Sequence, residues 1–214
     1  MASGTISPRQ KMINMMYLVL TAMLALNVSK DILRVLAKLD LGMNATVTTV
    51  ERGTATLYQA IQAQVSENPR AVPINERAKQ VKSESDGIFA LLASTKEEMI
   101  TLTGGLDEEG RYKGADNRDI PENYLLNDKS IGGQGKAKEI KEKLTAFRAF
   151  LEGQSDGDAT MNRIIDETFT FEDEVVEGKK MSWERATFAE LPLAGVVPFL
   201  TDLQSRVRRM EAKT

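Results

Sequence analysis

The sequence contains no cysteine and no histidine among its 214 residues. Without cysteine it has no disulfide bonds, no thiolate nucleophile and no cysteine-based zinc site. Without histidine it lacks the base of Ser-His-Asp and Cys-His triads and the commonest metal ligand. Carboxylate, lysine or tyrosine chemistry stays open, but no sequence pattern assembles a pocket for it. We therefore expect a protein that is not an enzyme and that uses no cofactor and no metal.

Acidic residues are absent from the first 30 positions, which carry three cations: Arg9, Lys11 and Lys30. The remaining residues hold 25 of the 28 lysines and arginines and all 31 acidic residues, so their net charge is −6. An acidic body argues against a nucleic-acid partner, because nucleic-acid binding needs a clustered basic surface. A basic, apolar N-terminus instead favours the lipid bilayer as a partner.

Residues 12–29 form an uncharged run of 18 residues. Ser7 as N-cap and Pro8 at the first helical position mark the start of a helix that contains this run. Twenty-one helical residues span about 31 Å, which matches a hydrocarbon core of about 30 Å. The sequence therefore predicts a transmembrane helix over residues 8–29.

A cleavable signal peptide is the main alternative for this segment. It would need small residues at positions −3 and −1 of a cleavage site, but Ala25 has Met23 two positions before it. The helical pattern also continues past this point, so an uncleaved anchor is favoured.

The orientation of the anchor is ambiguous by charge counting alone, because Arg34 and Lys38 follow the apolar run closely. A long C-terminal body can cross the membrane largely regardless of its charge. We therefore expect residues 1–7 to form a cytoplasmic tail and residues 30–214 to lie outside the cytoplasm.

Polar and small side chains form one face of the predicted membrane helix, at spacings of three or four. This face consists of Gln10, Asn14, Tyr17, Thr21, Ala25 and Ser29. Small residues at every fourth position let another helix approach closely, and the polar ones can form hydrogen bonds across the contact. An anchor with incidental polar residues is the alternative. We predict a helix-packing face inside a membrane complex.

Arg9 lies on the first turn of this helix and cannot lose its proton. Its side chain can reach the phosphate headgroups. It can also pair with a carboxylate of another subunit. The residues alone leave both alternatives open.

Helical spacing of apolar residues continues from residue 32 to residue 65, so we expect one rod from Pro8 to about Ser66. The β-branched residues 47–50 would suit a strand. Gly42 and Gly53 each weaken a helix by about 1 kcal/mol relative to alanine. A helix is still favoured, with a bend near Gly42.

Further apolar stripes predict more helices after Pro69 and Pro73, which should end the rod. The first stripe spans 78–102 and follows an N-cap at Asn75, and the second spans 137–151 and ends at Gly153. A short helix is predicted after Asp158. The last stripe spans 193–210, and Pro198 should kink its helix. These elements together predict an all-α protein in which a single transmembrane helix continues into an antiparallel helical bundle.

Two connections are predicted to be irregular, 104–134 and 169–182. The first ends in a glycine-rich stretch that is similar to a phosphate-binding loop. Ser130 stands where such a loop has its first glycine, and Ala137 stands where it has the Ser or Thr that binds Mg²⁺. Nucleotide binding is therefore not expected. The second holds an acidic cluster without the ligand spacing of a calcium loop, so we expect a solvated loop. The cluster consists of Glu172, Asp173, Glu174 and Glu177.

The last stripe runs to the end of the sequence without a C-cap, so we expect further domains after Thr214.

Two stretches resemble a known family. Residues 7–30, Ser-Pro-Arg-Gln-Lys-Met-Ile-Asn-Met-Met-Tyr-Leu-Val-Leu-Thr-Ala-Met-Leu-Ala-Leu-Asn-Val-Ser-Lys, are similar to the N-terminus of GldM/PorM, an inner-membrane family of gliding motility and type IX secretion in Bacteroidetes. The stretch from Trp183 through Pro192-Leu193-Ala194 to Val207-Arg208 resembles the last helix of that family's first domain. Pro198 departs from what the family's helix would contain.

The resemblance implies a homodimer in the bacterial inner membrane, with its main body in the periplasm. It also implies a surrounding ring, thought to be pentameric, of the two-helix membrane protein GldL/PorL. In this family the assembly is a motor driven by the proton-motive force, and later periplasmic domains reach periplasmic ring components. The family's arginine at the start of the membrane helix, here Arg9, is thought to pair with a membrane-embedded glutamate of the ring.

The residues agree with this division of roles. The predicted membrane helix has no Asp, Glu or His, so a partner must carry the proton while this chain supplies a fixed cation and a polar face. The alternative function is a passive single-pass scaffold or sensor with a helical extracytoplasmic bundle.

Overall fold

The computed structural model describes residues 8–65, 67–127, 135–176 and 178–214, and omits the side chains of residues 8, 22–30 and 176. Helices dominate these residues. They are α1 (Pro8–Val65), α2 (Ala71–Leu102), α3 (Asp119–Leu126), α4 (Lys136–Gln154), α5 (Ala159–Thr168), α6 (Trp183–Phe188) and α7 (Leu193–Glu211). A two-stranded antiparallel hairpin, β1 (Glu174–Val176) with β2 (Lys179–Met181), lies between α5 and α6.

Helix α1 confirms the predicted continuous rod: its 58 residues extend about 87 Å. Asp40, Val47 and Thr54 are buried at intervals of seven residues, so a heptad face of α1 packs on the rest of the chain. The strand alternative for residues 47–50 is wrong. Thr48 and Thr49 satisfy their hydroxyl groups on the carbonyl oxygens four residues earlier, which is compatible with a helix.

The bundle directions correct the prediction of an antiparallel bundle. Hydrogen bonds pair Asp40 with Thr201 and, farther along both helices, Tyr58 with Glu211, so α7 runs parallel to α1. Helix α2 runs antiparallel to α7, because Lys96 contacts Thr201 whereas Ser85, earlier in α2, contacts Glu211, later in α7. The segment from α5 to α6 carries the chain back along the bundle before α7 starts, which breaks the simple up-and-down alternation.

The core is built mainly by α2, α4 and α7. Fully buried side chains include Leu92, Met99, Ile140, Leu144, Phe147, Leu200 and Val207. Pro198 lies inside α7 and is buried, and the helix continues through it to Glu211. A chain of edge-to-face aromatic contacts closes one side of the core, including Trp183 with Phe188 at 5.7 Å between ring centroids.

The predicted start of the second helix was wrong. Helix α2 begins at Ala71, so Asn75 is a buried helical residue and not the cap. Pro73 lies in the first turn, where its missing N–H has no intrahelical partner to lose. Gly153 likewise lies within α4, which extends to Gln154.

The two predicted irregular connections are partly ordered. The segment 104–134 contains α3, which buries Tyr124 and Leu125 in the core. The segment 169–182 contains the β1–β2 hairpin. Thr168 is the last residue of α5, and Phe169 and Phe171, which follow it, lie in the aromatic cluster.

Candidate functional site at the junction of α1, α2 and α7

Polar and charged side chains are buried where α1 meets α2 and α7, in a body whose core is otherwise apolar. They form two clusters about 16 Å apart along α1, measured from Asp40 to Glu51. We name them by their central residues, the Asp40 cluster and the Arg208 cluster. Because each cluster joins three helices that are distant in sequence, this junction is the candidate functional site.

The Asp40 cluster connects α1 to α7 and to the 104–118 connection. The carboxylate of Asp40 accepts hydrogen bonds from the Thr201 hydroxyl group at 2.5 Å and from the Tyr112 hydroxyl group at 2.9 Å. Asn44, one turn farther along α1, donates to the same carboxylate at 3.0 Å. A buried carboxylate with three donors is well satisfied, so it holds its neighbours in one arrangement.

Lys96 extends this cluster into α2. Its ammonium group donates to Thr201 Oγ1 at 2.9 Å and to Gln204 Oε1 at 2.6 Å. Burial lowers the pKa of Lys96, and the nearby Asp40 carboxylate opposes that shift. Gln204 in turn donates to the backbone carbonyl of Phe89 at 3.2 Å, which adds a second link between α7 and α2.

Arg208 of α7 is the centre of the second cluster and is 9% exposed. Its Nε donates to Glu51 of α1 at 3.0 Å, and its Nη1 contacts carboxylate oxygens of Asp86 and Glu211 at 2.7 Å each. The guanidinium group also lies 4.4 Å from the centroid of the Phe89 ring. This combination of a planar charge, carboxylates and an aromatic face suits arginine and not lysine.

Glu211 is almost fully buried and is satisfied from both sides. Its Oε2 accepts from Ser85 at 2.6 Å, and its Oε1 accepts from the Tyr58 hydroxyl group of α1 at 3.0 Å. Burial, followed by the negative charge of Glu211, raises the pKa of Tyr58, which therefore stays a neutral donor. Burial opposes ionisation of Asp86, but hydrogen bonds from Lys82 and Arg208 lower its pKa below the ordinary value.

The hydrogen bonds and ion pairs of this junction link α1, α2 and α7. No group of three or more metal-binding side chains occurs among the described residues. The ion pair of Arg208 with Glu211 has low exposure and is costly to break one partner at a time, because the remaining charge is left unpaired. The contacts of Asp40 with Thr201 in one cluster and of Glu51 with Arg208 in the other join α1 to α7 at two separate levels, so they resist both sliding and rotation of α1 against α7.

The predicted membrane face lies at the N-terminal part of α1, far from this junction in sequence. Arg9 is exposed, and it forms no ion pair within the part of the chain that the structure describes. Gln10 donates to Asn14 at 3.4 Å, and the Thr21 hydroxyl group bonds to the Tyr17 carbonyl oxygen at 2.7 Å. The side chains of Ala25 and Ser29, also predicted on this face, lie outside the described residues.

No helix in the described part of the chain is both long enough and apolar enough to cross a membrane.

The acidic cluster is exposed as predicted, but it is not wholly a loop, because Glu174 begins β1. Glu172, Asp173 and Glu174 are exposed, whereas Glu177 lies outside the described residues. Asp173 also pairs with Lys180 at 3.5 Å, so its charge is partly balanced within the hairpin.

Sequence reasoning missed the junction residues. Gln204, Arg208 and Glu211 follow one another at steps of four and three, directly beside the apolar stripe of α7. That spacing was the available signal, but a solvated helix face shows the same pattern. The cluster forms because Glu51 of α1 and Asp86 of α2 both pair with Arg208 of α7, and this tertiary contact cannot be read from the spacing.

Comparison with known proteins gives the family. The family model described as the GldM N-terminal domain matches residues 31–214, which include both polar clusters. No curated protein matches the chain. The chain therefore belongs to the GldM family, and this membership associates it with the gliding and type IX secretion machinery.

Proposed function

We propose that this chain is the membrane-anchored subunit of a motor driven by the proton-motive force, and that it transmits movement from the membrane to the periplasm. The single observation that carries the proposal is the continuity of α1, which extends from Pro8 to Val65 without a break. The two polar clusters fix this rod to α7. A displacement of its N-terminal third therefore has to move the bundle as well.

The membrane span at residues 8–29 is supported by its sequence. It has an uncharged run of 18 residues, a helix start at Ser7 and Pro8, and a length that matches the hydrocarbon core. We place residues 1–7 in the cytoplasm and residues 30–214 in the periplasm, as a bundle domain. Contacts to periplasmic ring components, which the family resemblance implies, would be made by periplasmic domains other than this bundle.

The ring partner is proposed to be a GldL/PorL-like two-helix membrane protein, in about five copies around the span. The absence of acidic residues from the first 30 positions supports this arrangement, because the titrating carboxylate then has to come from the partner. A partner carboxylate near Arg9 would have its pKa lowered by the cation, whereas desolvation would raise it. Separation from Arg9 would favour protonation, which couples proton binding to movement.

An uncharged, exposed seam along α1 supports a homodimer. Its residues follow heptad spacing, with alternating steps of three and four. The seam consists of Ile32, Val35, Leu39, Gly42, Thr46, Thr49, Gly53, Thr56 and Ala60, all of which are exposed. Eighteen residues are five full helical turns, so Asn14, Tyr17 and Thr21 of the membrane face lie in line with Ile32, Val35 and Leu39.

The composition of this seam fits close contact with a second helix. Thr46 and Thr49 satisfy their hydroxyl groups on their own helix, so they present methyl groups outward. A Cβ atom added to Gly42 or Gly53 would meet nothing within 4 Å in this chain. Glycine inside a helix costs about 1 kcal/mol, and close approach of a second copy would use the space it leaves.

Thr49→Glu should separate the two copies, because it places two like charges inside the seam. Thr48→Glu is the matched control, since Thr48 is also exposed and hydrogen-bonded to its own helix but lies off the seam. Native mass spectrometry of the detergent-extracted complex should show two copies of this chain with Thr48→Glu and a loss of the second copy with Thr49→Glu. Two copies in both variants would reject this seam, and one copy in the unmodified protein would reject the dimer.

A further inference from the structure

A groove of about 570 Å³ lies beside the part of α1 that directly follows the proposed membrane span. One wall is apolar and consists of Leu33, Ala37 and Leu41, which are spaced one helical turn apart. The opposite wall is the turn 107–113. The groove is open to solvent and adjoins the Asp40 cluster through Tyr112.

The opposite wall is rigidly built. Asp107 accepts hydrogen bonds from the backbone N–H groups of Glu109 and Arg111, at 3.0 and 2.8 Å, and from Arg111 Nε at 2.8 Å. Tyr112 anchors the turn to α1 through its hydrogen bond to Asp40 at 2.9 Å. The two walls are thus held at a fixed separation before any ligand binds.

The charges that line the groove leave a positive excess. Both acidic residues of the lining, Asp107 and Glu109, form ion pairs with Arg111. Lys38 and Lys113 form no ion pair among the described residues, and Arg34 reaches only the exposed Asp31 at 3.4 Å. A ligand for this site should therefore be anionic, with an apolar part that lies against α1.

We propose that the groove binds the headgroup of an anionic phospholipid from the outer leaflet of the inner membrane. This proposal rests on the membrane anchoring proposed above. Arg34 lies four residues past Lys30, about 6 Å along the helix, which is within the headgroup layer. The backbone of Lys38 lies about 12 Å past Lys30, so the side chains of Lys38 and Lys113 would extend back toward the bilayer to reach the phosphate, and Leu33 would pack against the glycerol.

A phospholipid fits the groove better than an acidic peptide. The row of cations at 30, 34 and 38 rises directly from the proposed bilayer surface, beside an apolar row at 33, 37 and 41. Basic residues next to apolar ones at this depth are typical of contacts with anionic lipids. Such a contact would hold the bundle at a fixed angle to the bilayer. Movement of the span would then displace the bundle and would not merely change its tilt.

Hydrogen exchange of the full chain in nanodiscs tests this proposal. Phosphatidylcholine nanodiscs with added phosphatidylglycerol should slow exchange at 33–41 and 105–113, compared with phosphatidylcholine alone. Soluble dihexanoyl phosphatidylglycerol should bind the same region, and the double variant Lys38→Glu/Lys113→Glu should weaken that binding on the order of tenfold. Lys143→Glu, an exposed lysine on α4, is the control and should bind as the unmodified protein does.

Four outcomes would overturn the proposal. Three are protection that does not depend on lipid charge, protection that persists in the double variant, and protection by an acidic peptide and not by the lipid. The fourth is inorganic phosphate as effective as the short-chain lipid, which would show a simple anion site. A fluorophore on Leu20→Cys reports separately whether residues 8–29 enter the bilayer. Failure of the groove and failure of the membrane anchor are therefore distinguishable.

Discussion

Replacing Arg208 by methionine should lower the free energy of unfolding by about 3 kcal/mol, because the substitution leaves the buried carboxylate of Glu211 without its cation. Glu211 would keep Tyr58 and Ser85 as donors but lose its cation. Arg209→Met is the matched control, since its side chain is exposed, and it should change stability by less than about 0.5 kcal/mol. Denaturant unfolding followed by circular dichroism measures both values.

The double variant Arg208→Met/Glu211→Gln separates the ion pair from general damage to packing. Glu211→Gln removes the carboxylate charge that Arg208→Met leaves unpaired, so it should recover part of the lost stability. A double-mutant cycle expresses this recovery as a coupling energy. Equal losses for Arg208→Met and Arg209→Met would contradict the assignment of this cluster as the link between α1 and α7.

Arg9→Ala should abolish secretion and gliding, whereas membrane insertion should persist. If Arg9 pairs with a carboxylate of the ring, alanine leaves that carboxylate without its cation in a low dielectric, where it tends to stay protonated. Lys11→Ala is the control because it also removes a cation from the first turns of α1. Secretion in cells that carry each substitution, together with recovery of the partner by affinity purification, gives the measurement.

Arg9→Lys separates the two roles that the sequence leaves open. Lysine also reaches headgroups, so it should be nearly neutral if Arg9 only anchors the helix. It loses the two-pronged geometry of arginine on a carboxylate, so it should impair secretion if Arg9 pairs with the ring. Normal secretion with Arg9→Ala would show that Arg9 does not pair with the ring and only contacts the lipid headgroups.

The fold was predictable where local periodicity decides it. The stripe of α1 gave a single rod with an end within one residue of Val65, and the other long stripes gave α2, α4 and α7. Helix α3 was missed because its eight residues lie in a glycine-rich stretch, and burial of Tyr124 and Leu125 stabilises it. The parallel course of α1 and α7 depends on how the chain returns through α5 and the hairpin, which no periodicity encodes.

The junction was not predictable because its parts come from distant positions. Asp40 contacts Thr201 across 161 positions in sequence, and Glu51 contacts Arg208 across 157. Each residue alone resembles a polar residue at the edge of a helix stripe. The proposed membrane face and the proposed role of Arg9 stay predictions, and they rest on local signals: a charge-free run, a helix start and small residues at regular spacing.

The most direct test of the central claim is to break α1 between the proposed membrane span and the bundle without changing its length. Residues Ser29, Lys30 and Asp31 would be replaced by Gly-Pro-Gly in one variant and by Ala-Ala-Ala in the control. Glycine and proline interrupt the helix, whereas alanine preserves it. We predict that both variants insert in the membrane and that only the alanine variant secretes. Wild-type secretion with the Gly-Pro-Gly variant would show that movement does not pass through a rigid α1.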